Sequence, residues 1–267
     1  MTDGVAELAR ADTTTGVALE LFEAGEGRPL LVLHGEGGLQ RAHGFLRQLA
    51  GRAHVVAPSH PGFGRSELPD WVDGVDDLVY LYLDLLDAHD LQDVTVVGLS
   101  LGGWVAAELA VQRPPRMGAC VLVDAYGIRV SEDREVRDLA DIWATHPDEL
   151  ARLAYHDPAL ARVDYGTLGD EEVEIAARNQ QAAALYGWKP YLNNPKLRRR
   201  LHRVTARTLV VWGEDDGIAP LAYGRAFADA IPGSRFEVLP GAGHHPEIEQ
   251  PERLADLVAR FAEEGAR

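Results

Sequence analysis

Short apolar runs rich in branched residues punctuate the chain, each closed by Gly, Pro, Asp or a His-Gly pair. Leu30 to Leu33 ends in His34-Gly35, Val55 to Ala57 in Pro58, and Val94 to Val97 in Gly98. Cys120 to Val123 ends in Asp124, Leu209 to Trp212 in Gly213, and Phe236 to Leu239 in Pro240. Runs this short and β-branched suit strands covered on both faces, as in a buried parallel sheet. Val17 to Phe22 and Val5 to Ala9 add an antiparallel edge. Between the runs the period lengthens. Over Val75 to Leu86 the residues Leu78, Val79, Tyr82, Leu85 and Leu86 repeat at helical spacing, and Leu101 to Val111, Leu221 to Ile231 and Arg253 to Phe261 behave alike. Strand–helix alternation of this kind predicts an α/β fold with a mostly parallel, doubly wound sheet.

One region breaks the alternation. Between Asp124 and Thr208 no convincing strand occurs, although connections in such folds usually span a few residues. Helical patterns cover Glu135 to Ala144, Asp148 to Ala154 and Asp170 to Leu185, and the aromatics Trp143, Tyr155, Tyr165, Tyr186, Trp188 and Tyr191 are scattered among them. The expected organisation is a core made of 1–126 and 204–267, with a helical cap, 127–203, inserted between two strands over the C-terminal edge of the sheet. Trp143, Tyr155, Tyr186 and Trp188 are candidate pocket walls, although aromatics of this kind more often fill a cap's own core. The basic run from Lys196 to Arg203 reads as a solvated face; the sharper alternative is that Arg198 meets a substrate carboxylate.

Three segments carry candidate chemistry. Gly98-Leu99-Ser100-Leu101-Gly102 lies between a predicted strand and a predicted helix, the context of a nucleophile elbow. A sharp turn lifts the serine hydroxyl above the sheet, flanking glycines permit close packing, and the helix N-terminus behind favours developing negative charge. A hydroxyl is a weak nucleophile and needs a base. Of ten histidines, His244 and His245 stand in Gly241-Ala242-Gly243-His244-His245-Pro246, straight after the last predicted strand. An acid must then orient the imidazole. Glu214, Asp215 and Asp216 follow the penultimate strand, and Asp124 ends an earlier one, so four carboxylates compete.

Composition narrows the classes. Lys and Arg total 26 against 42 Asp and Glu, a formal net charge of -16, which disfavours general binding of nucleic acid or of an anionic membrane. Cys120 is the one cysteine, so no intrachain disulfide forms, and its apolar surroundings predict a buried, inert thiol. Met1 to Arg10 lacks a secretory pattern and no apolar stretch is long enough to span a bilayer, so a cytoplasmic enzyme is expected. No metal-ligand spacing is seen; no cofactor is expected.

With these residues in hand, the chain resembles the α/β-hydrolase superfamily, in its capped branch with a serine nucleophile. Leu33-His34-Gly35-Glu36-Gly37-Gly38 is similar to the family's oxyanion loop, and Pro61-Gly62-Phe63-Gly64-Arg65-Ser66 to its Gly-x-Gly-x-Ser loop. Gly213 to Pro220 resembles the acid loop, which selects Asp216, and Gly243-His244 with Glu249 and Pro251 resembles the histidine loop, which selects His244. Asp124 stays the alternative acid, since some members place it there. The resemblance implies Ser100, Asp216 and His244 as the triad. It puts the oxyanion between the backbone N–H groups of Glu36 and Leu101, with Gly37 as alternative to Glu36 and a pocket residue. His245 is the alternative base or a pocket wall. His34 is expected to brace the loop. The Glu36 carboxylate is expected to point to solvent, or else to contact a cationic or hydroxylated substrate. Ser100 sets the chain apart from epoxide hydrolases and haloalkane dehalogenases, which use Asp there. Meta-cleavage carbon–carbon hydrolases share the serine, and Pro195-Lys196-Leu197 resembles their cap junction. Those enzymes generally have Asn before the serine and Trp after the histidine, where this chain has Leu99 and His245. The implied activity is hydrolysis of a small carboxylic ester, lactone or thioester through an acyl-enzyme, by a monomer or homodimer acting on a small molecule. A carbon–carbon hydrolase and a small-molecule receptor on the same fold are the alternatives.

Overall fold

The alternation of runs becomes an eight-stranded sheet. In chain order the elements begin β1 (Leu8–Asp12), β2 (Ala18–Ala24), β3 (Pro29–Leu33), α1 (His43–Ala50), β4 (His54–Pro58), α2 (Val75–Ala88), β5 (Val94–Leu99), α3 (Leu101–Gln112) and β6 (Met117–Val123). They continue with α4 (Pro147–Ala154), α5 (Asp170–Gly187), β7 (Arg207–Gly213), α6 (Leu221–Asp229), β8 (Arg235–Leu239), α7 (Pro246–Glu249) and α8 (Pro251–Glu263). The computed structural model describes residues 8–133, 135–163 and 166–264. The strand order is β1-β2-β4-β3-β5-β6-β7-β8, with β1/β2 and β2/β4 antiparallel and the other pairs parallel.

The apolar runs are unbroken because both faces of the sheet are covered. Leu31, Leu33, Val56, Val96, Leu122, Val210 and Trp212 face α2, α3 and α6 on one side. Their alternating neighbours Leu30, Val32, Val55, Val97, Val121 and Val211 face α1 and α8 on the other. β5 and nearly all of β6 are buried, whereas the edge strand β8 is mostly exposed or half-buried.

Most elements fall where the pattern puts them, with four differences. β1 pairs at Leu8–Asp12, and the part of Val5 to Ala9 before Leu8 lies outside the described residues, as does Tyr165. α1 was not expected; its buried stripe is only Phe45, Leu46 and Leu49. α7, a single turn after His245, was not expected either. Glu135 to Ala144 is a series of turns, not a helix. Its carboxylates compete for backbone donors: Asp138 accepts from Val130 and Ser131 N–H, and Asp141 from Trp143 and Ala144 N–H.

The segment between β6 and β7 lies across the loops at the C-terminal ends of the strands. Asn179 on α5 accepts from Gly64 N–H (2.8 Å) and donates to the Gly37 carbonyl (3.3 Å), and Tyr186 donates to the Pro61 carbonyl (2.9 Å). The end of α4 accepts from the acid and histidine loops, Leu153 from Gly217 N–H (2.8 Å) and Ala154 from His244 N–H (2.7 Å). Among the described residues no helix is long and apolar enough to cross a membrane.

Candidate active site

Ser100 caps α3 immediately after β5, with φ 49° and ψ −110°. Such a backbone costs a non-glycine residue on the order of 1–3 kcal/mol and is kept only where surroundings over-determine it. Here Ser100 N–H donates to Val123 of the adjacent strand (2.9 Å), and its carbonyl accepts from Gly103 (3.0 Å), Trp104 (3.2 Å) and Tyr126 (3.1 Å). The glycines are needed for close approach. A Cβ on Gly98 would stand 2.6 Å from Gly103 Cα, and one on Gly102 would stand 2.6 Å from the His34 carbonyl oxygen.

The histidine loop after β8 and the acid loop after β7 meet the serine. Ser100 Oγ lies 2.8 Å from His244 Nε2, and His244 Nδ1 lies 2.8 Å from Asp216 Oδ2. Asp216 Oδ1 accepts from the backbone N–H groups of Ile218 (2.8 Å) and Ala219 (2.9 Å), which fixes the carboxylate. All three side chains are buried. Burial alone would depress the His244 imidazole. The Asp216 carboxylate, with Glu36 and Glu247 nearby, outweighs it and raises the group to about 9. The Tyr126 ring stacks on His244 with centroids 4.9 Å apart.

Asp124 is also buried here, but its Oδ1 accepts from Gly213 N–H (2.8 Å) and braces the start of the acid loop. Burial, then the charge of Asp216, pushes its carboxyl well above the usual range. The hydrogen bond to Nδ1 belongs to Asp216. Among the described residues Asp124, Asp216 and His244 are also the one group with ligand atoms close enough to hold a metal, within 4.8 Å of one another. A proton shared between Nδ1 and Oδ2 occupies the lone pair a metal would need, so the trio reads as an imidazole–carboxylate pair beside an Asp124 that braces the loop.

Glu36 departs from expectation. Its carboxylate points inward, not to solvent: Oε2 accepts from the Ser100 hydroxyl at 2.7 Å. Oε1 is 3.8 Å from His245 Nε2, whose Nδ1 lies 3.2 Å from Glu247 Oε1. Burial pushes the Glu36 carboxyl up, but the His245 and His244 imidazoles and the Ser100 hydroxyl hold it below its ordinary value. His245 is half-buried, tilted against the Tyr155 ring at 4.9 Å, and Arg41 donates to the Tyr155 hydroxyl (2.7 Å). Leu101 is the first residue of α3, so its N–H is one of those a helix leaves without an internal partner.

The other expected residues divide. Gly37 is exposed in the loop after β3, its carbonyl tied to Asn179. Trp188 is 64% exposed. Trp143 packs on Trp188 and Tyr191, at 5.5 and 5.3 Å, inside the inserted segment. Tyr186 stacks on Phe63. Arg198 is exposed and donates to the Val130 carbonyl (3.2 Å). Cys120 is buried, and burial drives its thiol up to about 12. His34 accepts from His60 N–H at Nε2 (2.9 Å) and bonds the Gly35 carbonyl through Nδ1 (2.7 Å), which braces the loop carrying Glu36. Tyr126, Glu247, Arg41 and Asn179 were not anticipated. Tyr126 had one signal, its place two residues beyond the strand-ending Asp124; the others had none in local pattern.

The sequence profile described as the alpha/beta hydrolase family matches residues 30–257. A 2-hydroxymuconate semialdehyde hydrolase from Pseudomonas sp. strain CF600 is 30% identical over 284 residues, covering 97% of this chain and 95% of that protein. A 2-hydroxy-6-oxo-2,4-heptadienoate hydrolase from Pseudomonas putida is 28% identical over 283 residues, covering 98% of each. Among solved structures, a serine hydrolase involved in carbazole degradation superposes with a TM-score of 0.73 at 26% identity, covering 96% of this chain and 98% of that one.

Proposed function

Since this chain belongs to the alpha/beta hydrolase family, we propose that it hydrolyses a carbon–carbon bond next to a ketone, with Ser100 as nucleophile, His244 as base and Asp216 as the acid that orients it. The observation that carries the reading is the unbroken relay from Ser100 Oγ to His244 Nε2, and from His244 Nδ1 to Asp216 Oδ2, each 2.8 Å. The choice of bond is supported by full-length likeness to hydrolases named for 2-hydroxymuconate semialdehyde and 2-hydroxy-6-oxo-2,4-heptadienoate.

In this reading Ser100 Oγ bonds to the ketone carbon while His244 takes the hydroxyl proton. The oxyanion is held by the N–H groups of Leu101 and Glu36, or of Gly37 in place of Glu36. As the tetrahedral centre collapses, the carbon–carbon bond breaks and its electron pair passes to the neighbouring carbon, delocalised into the conjugated chain. His244 returns the proton to that fragment. Water, deprotonated by His244, then attacks the acyl-serine and releases a carboxylic acid. Asp216 stays ionised throughout and stabilises the imidazolium.

A specific observation supports a second reading, cleavage of an ester, lactone or thioester by the same residues. Leu99 and His245 stand where carbon–carbon hydrolases generally carry Asn and Trp. The two readings separate with two substrates. On the first, 2-hydroxy-6-oxo-2,4-heptadienoate yields acetate and a five-carbon dienoic acid, with oxygen from labelled water in the acetate. Both products disappear in Ser100→Ala. Should that compound be left intact while p-nitrophenyl acetate turns over rapidly, the carbon–carbon reading fails and the ester reading stands.

A further inference from the structure

Ser100 has one hydroxyl proton and two partners placed to receive it: His244 Nε2 at 2.8 Å and Glu36 Oε2 at 2.7 Å. An ionised carboxylate only accepts. A hydroxyl that donates to Glu36 therefore has to accept from His244, so Nε2 carries a proton. The other ring nitrogen already shares a proton with Asp216. With a proton on each nitrogen the ring is an imidazolium. We propose that Glu36 is a positioning residue that holds the resting enzyme in this state. It draws the Ser100 proton away from His244 and so sets the pH above which the serine becomes nucleophilic.

The surroundings favour this arrangement from every side. On one arm, Asp216 holds His244, with the Asp124 carboxyl beside it, pushed up by burial and by the Asp216 charge. On the other, Glu36 is followed by His245 and Glu247. The His245 ring meets His244 edge-on at 5.0 Å, and the Tyr126 ring, just after β6, covers His244. Behind His245, the Tyr155 hydroxyl is engaged by Arg41. The charges bearing on His244 are thus mainly negative, which agrees with an imidazolium that persists well above the ordinary range and a Glu36 that stays ionised. Release needs one proton to leave Nε2 for solvent. The hydroxyl hydrogen then turns from Glu36 to Nε2, no bond to carbon is made or broken, and the acyl group meets the neutral pair that attack requires.

The inference rests on Ser100 as nucleophile but not on which bond Ser100 cleaves. Its test is therefore the rate at which a fluorophosphonate labels Ser100 across the pH range, in the wild-type protein and in Glu36→Gln, beside an NMR titration of the His244 ring in both. Loss of the charge should lower the His244 midpoint by about one pH unit, and labelling at neutral pH should rise about tenfold, since one pKa unit is a factor of ten in the neutral fraction. The acid limb of the labelling profile should move by the same amount. An unchanged His244 midpoint overturns the inference, whether labelling is then normal or slowed at every pH. Absence of labelling in the wild-type protein would count against Ser100 as nucleophile, and the His244 titration would still decide the role of Glu36.

Discussion

Two buried carboxylates lie beside one imidazole, and their hydrogen bonds separate their roles. Asp216 accepts two backbone N–H groups with one oxygen and the His244 ring with the other. Asp124 accepts from Gly213 N–H, and burial with the Asp216 charge pushes its carboxyl up. Asp216→Asn should lower kcat by roughly 1000- to 10,000-fold, as loss of an orienting acid does elsewhere. Asp124→Asn keeps an oxygen to accept from Gly213 N–H and leaves the Asp216–His244 bond in place, so it should stay within about tenfold. Steady-state rates of the two variants check the assignment, and the reverse ranking would transfer the acid to Asp124. The raised His244 value also has a direction in pH. Attack needs the neutral ring, and a ring raised to about 9 is charged at neutrality. The acid limb of kcat/KM should therefore lie well above the ordinary histidine range, with activity climbing as alkali is added. A limb at or below about 6.5, the unperturbed value, would contradict it.

At the scale of elements, the turn between β5 and α3 and the docking of α5 do the positioning. Gly102→Ala would drive a Cβ into backbone oxygens of the strand beside it, which cannot yield as a flexible side chain could. The expected cost is about 3 kcal/mol, at the upper end for overpacking. Thermal unfolding would report it, along with loss of fluorophosphonate labelling as Ser100 shifts. α5 is attached differently, through polar bridges. Asn179→Ala leaves the buried Gly64 N–H without this partner, a loss of about 1–3 kcal/mol, while the exposed Gly37 carbonyl can turn to water. Urea unfolding should show that loss. KM should rise as well, because Gly37 belongs to the loop that carries Glu36.

Across the whole molecule, one consequence follows from two buried histidines under the site. His34 and His60 pack ring on ring at 3.9 Å, and His60 also bonds the Tyr82 hydroxyl. Burial drives His60 down to about 4 and His34 well below its ordinary value. The unfolded chain takes up protons at these rings near pH 6.5, about the free value, while the folded protein does not. A depressed folded value means stability that is present above the unfolded value and lost as the pH falls toward the folded one. From His60 alone, unfolding free energy should fall by on the order of 2 kcal/mol as the pH drops from about 7 to about 4.5, and His34 acts in the same direction. His60→Gln should show a shallower fall in the same urea titrations. Equal slopes would assign acid sensitivity to other groups.

Much of this protein was legible before any coordinates. A strand covered on both faces has to be apolar throughout, and a turn that sharp has to be flanked by glycine, so the β3, β5, β6 and β7 runs and the elbow around Ser100 announce themselves in local pattern. Local pattern left four carboxylates and two histidines in play; resemblance to the family's acid and histidine loops is what singles out Asp216 and His244. What local pattern could not carry is the direction of side chains among competing partners. Glu36 turns toward Ser100 because His245, supplied by a loop some 200 residues away, stands beside it. Asp216, not Asp124, meets the imidazole, because the acid loop brings its Oδ2 to 2.8 Å from Nδ1 while Asp124 bonds Gly213 N–H. Glu135 to Ala144 has helical spacing, yet Asp138 and Asp141 close turns once Tyr191 is near enough to take the Ile142 N–H and the Ala140 carbonyl. Periodicity is set by neighbours a few residues away, whereas charge, hydrogen-bond choice and exposure depend on whatever the fold brings within a few ångströms.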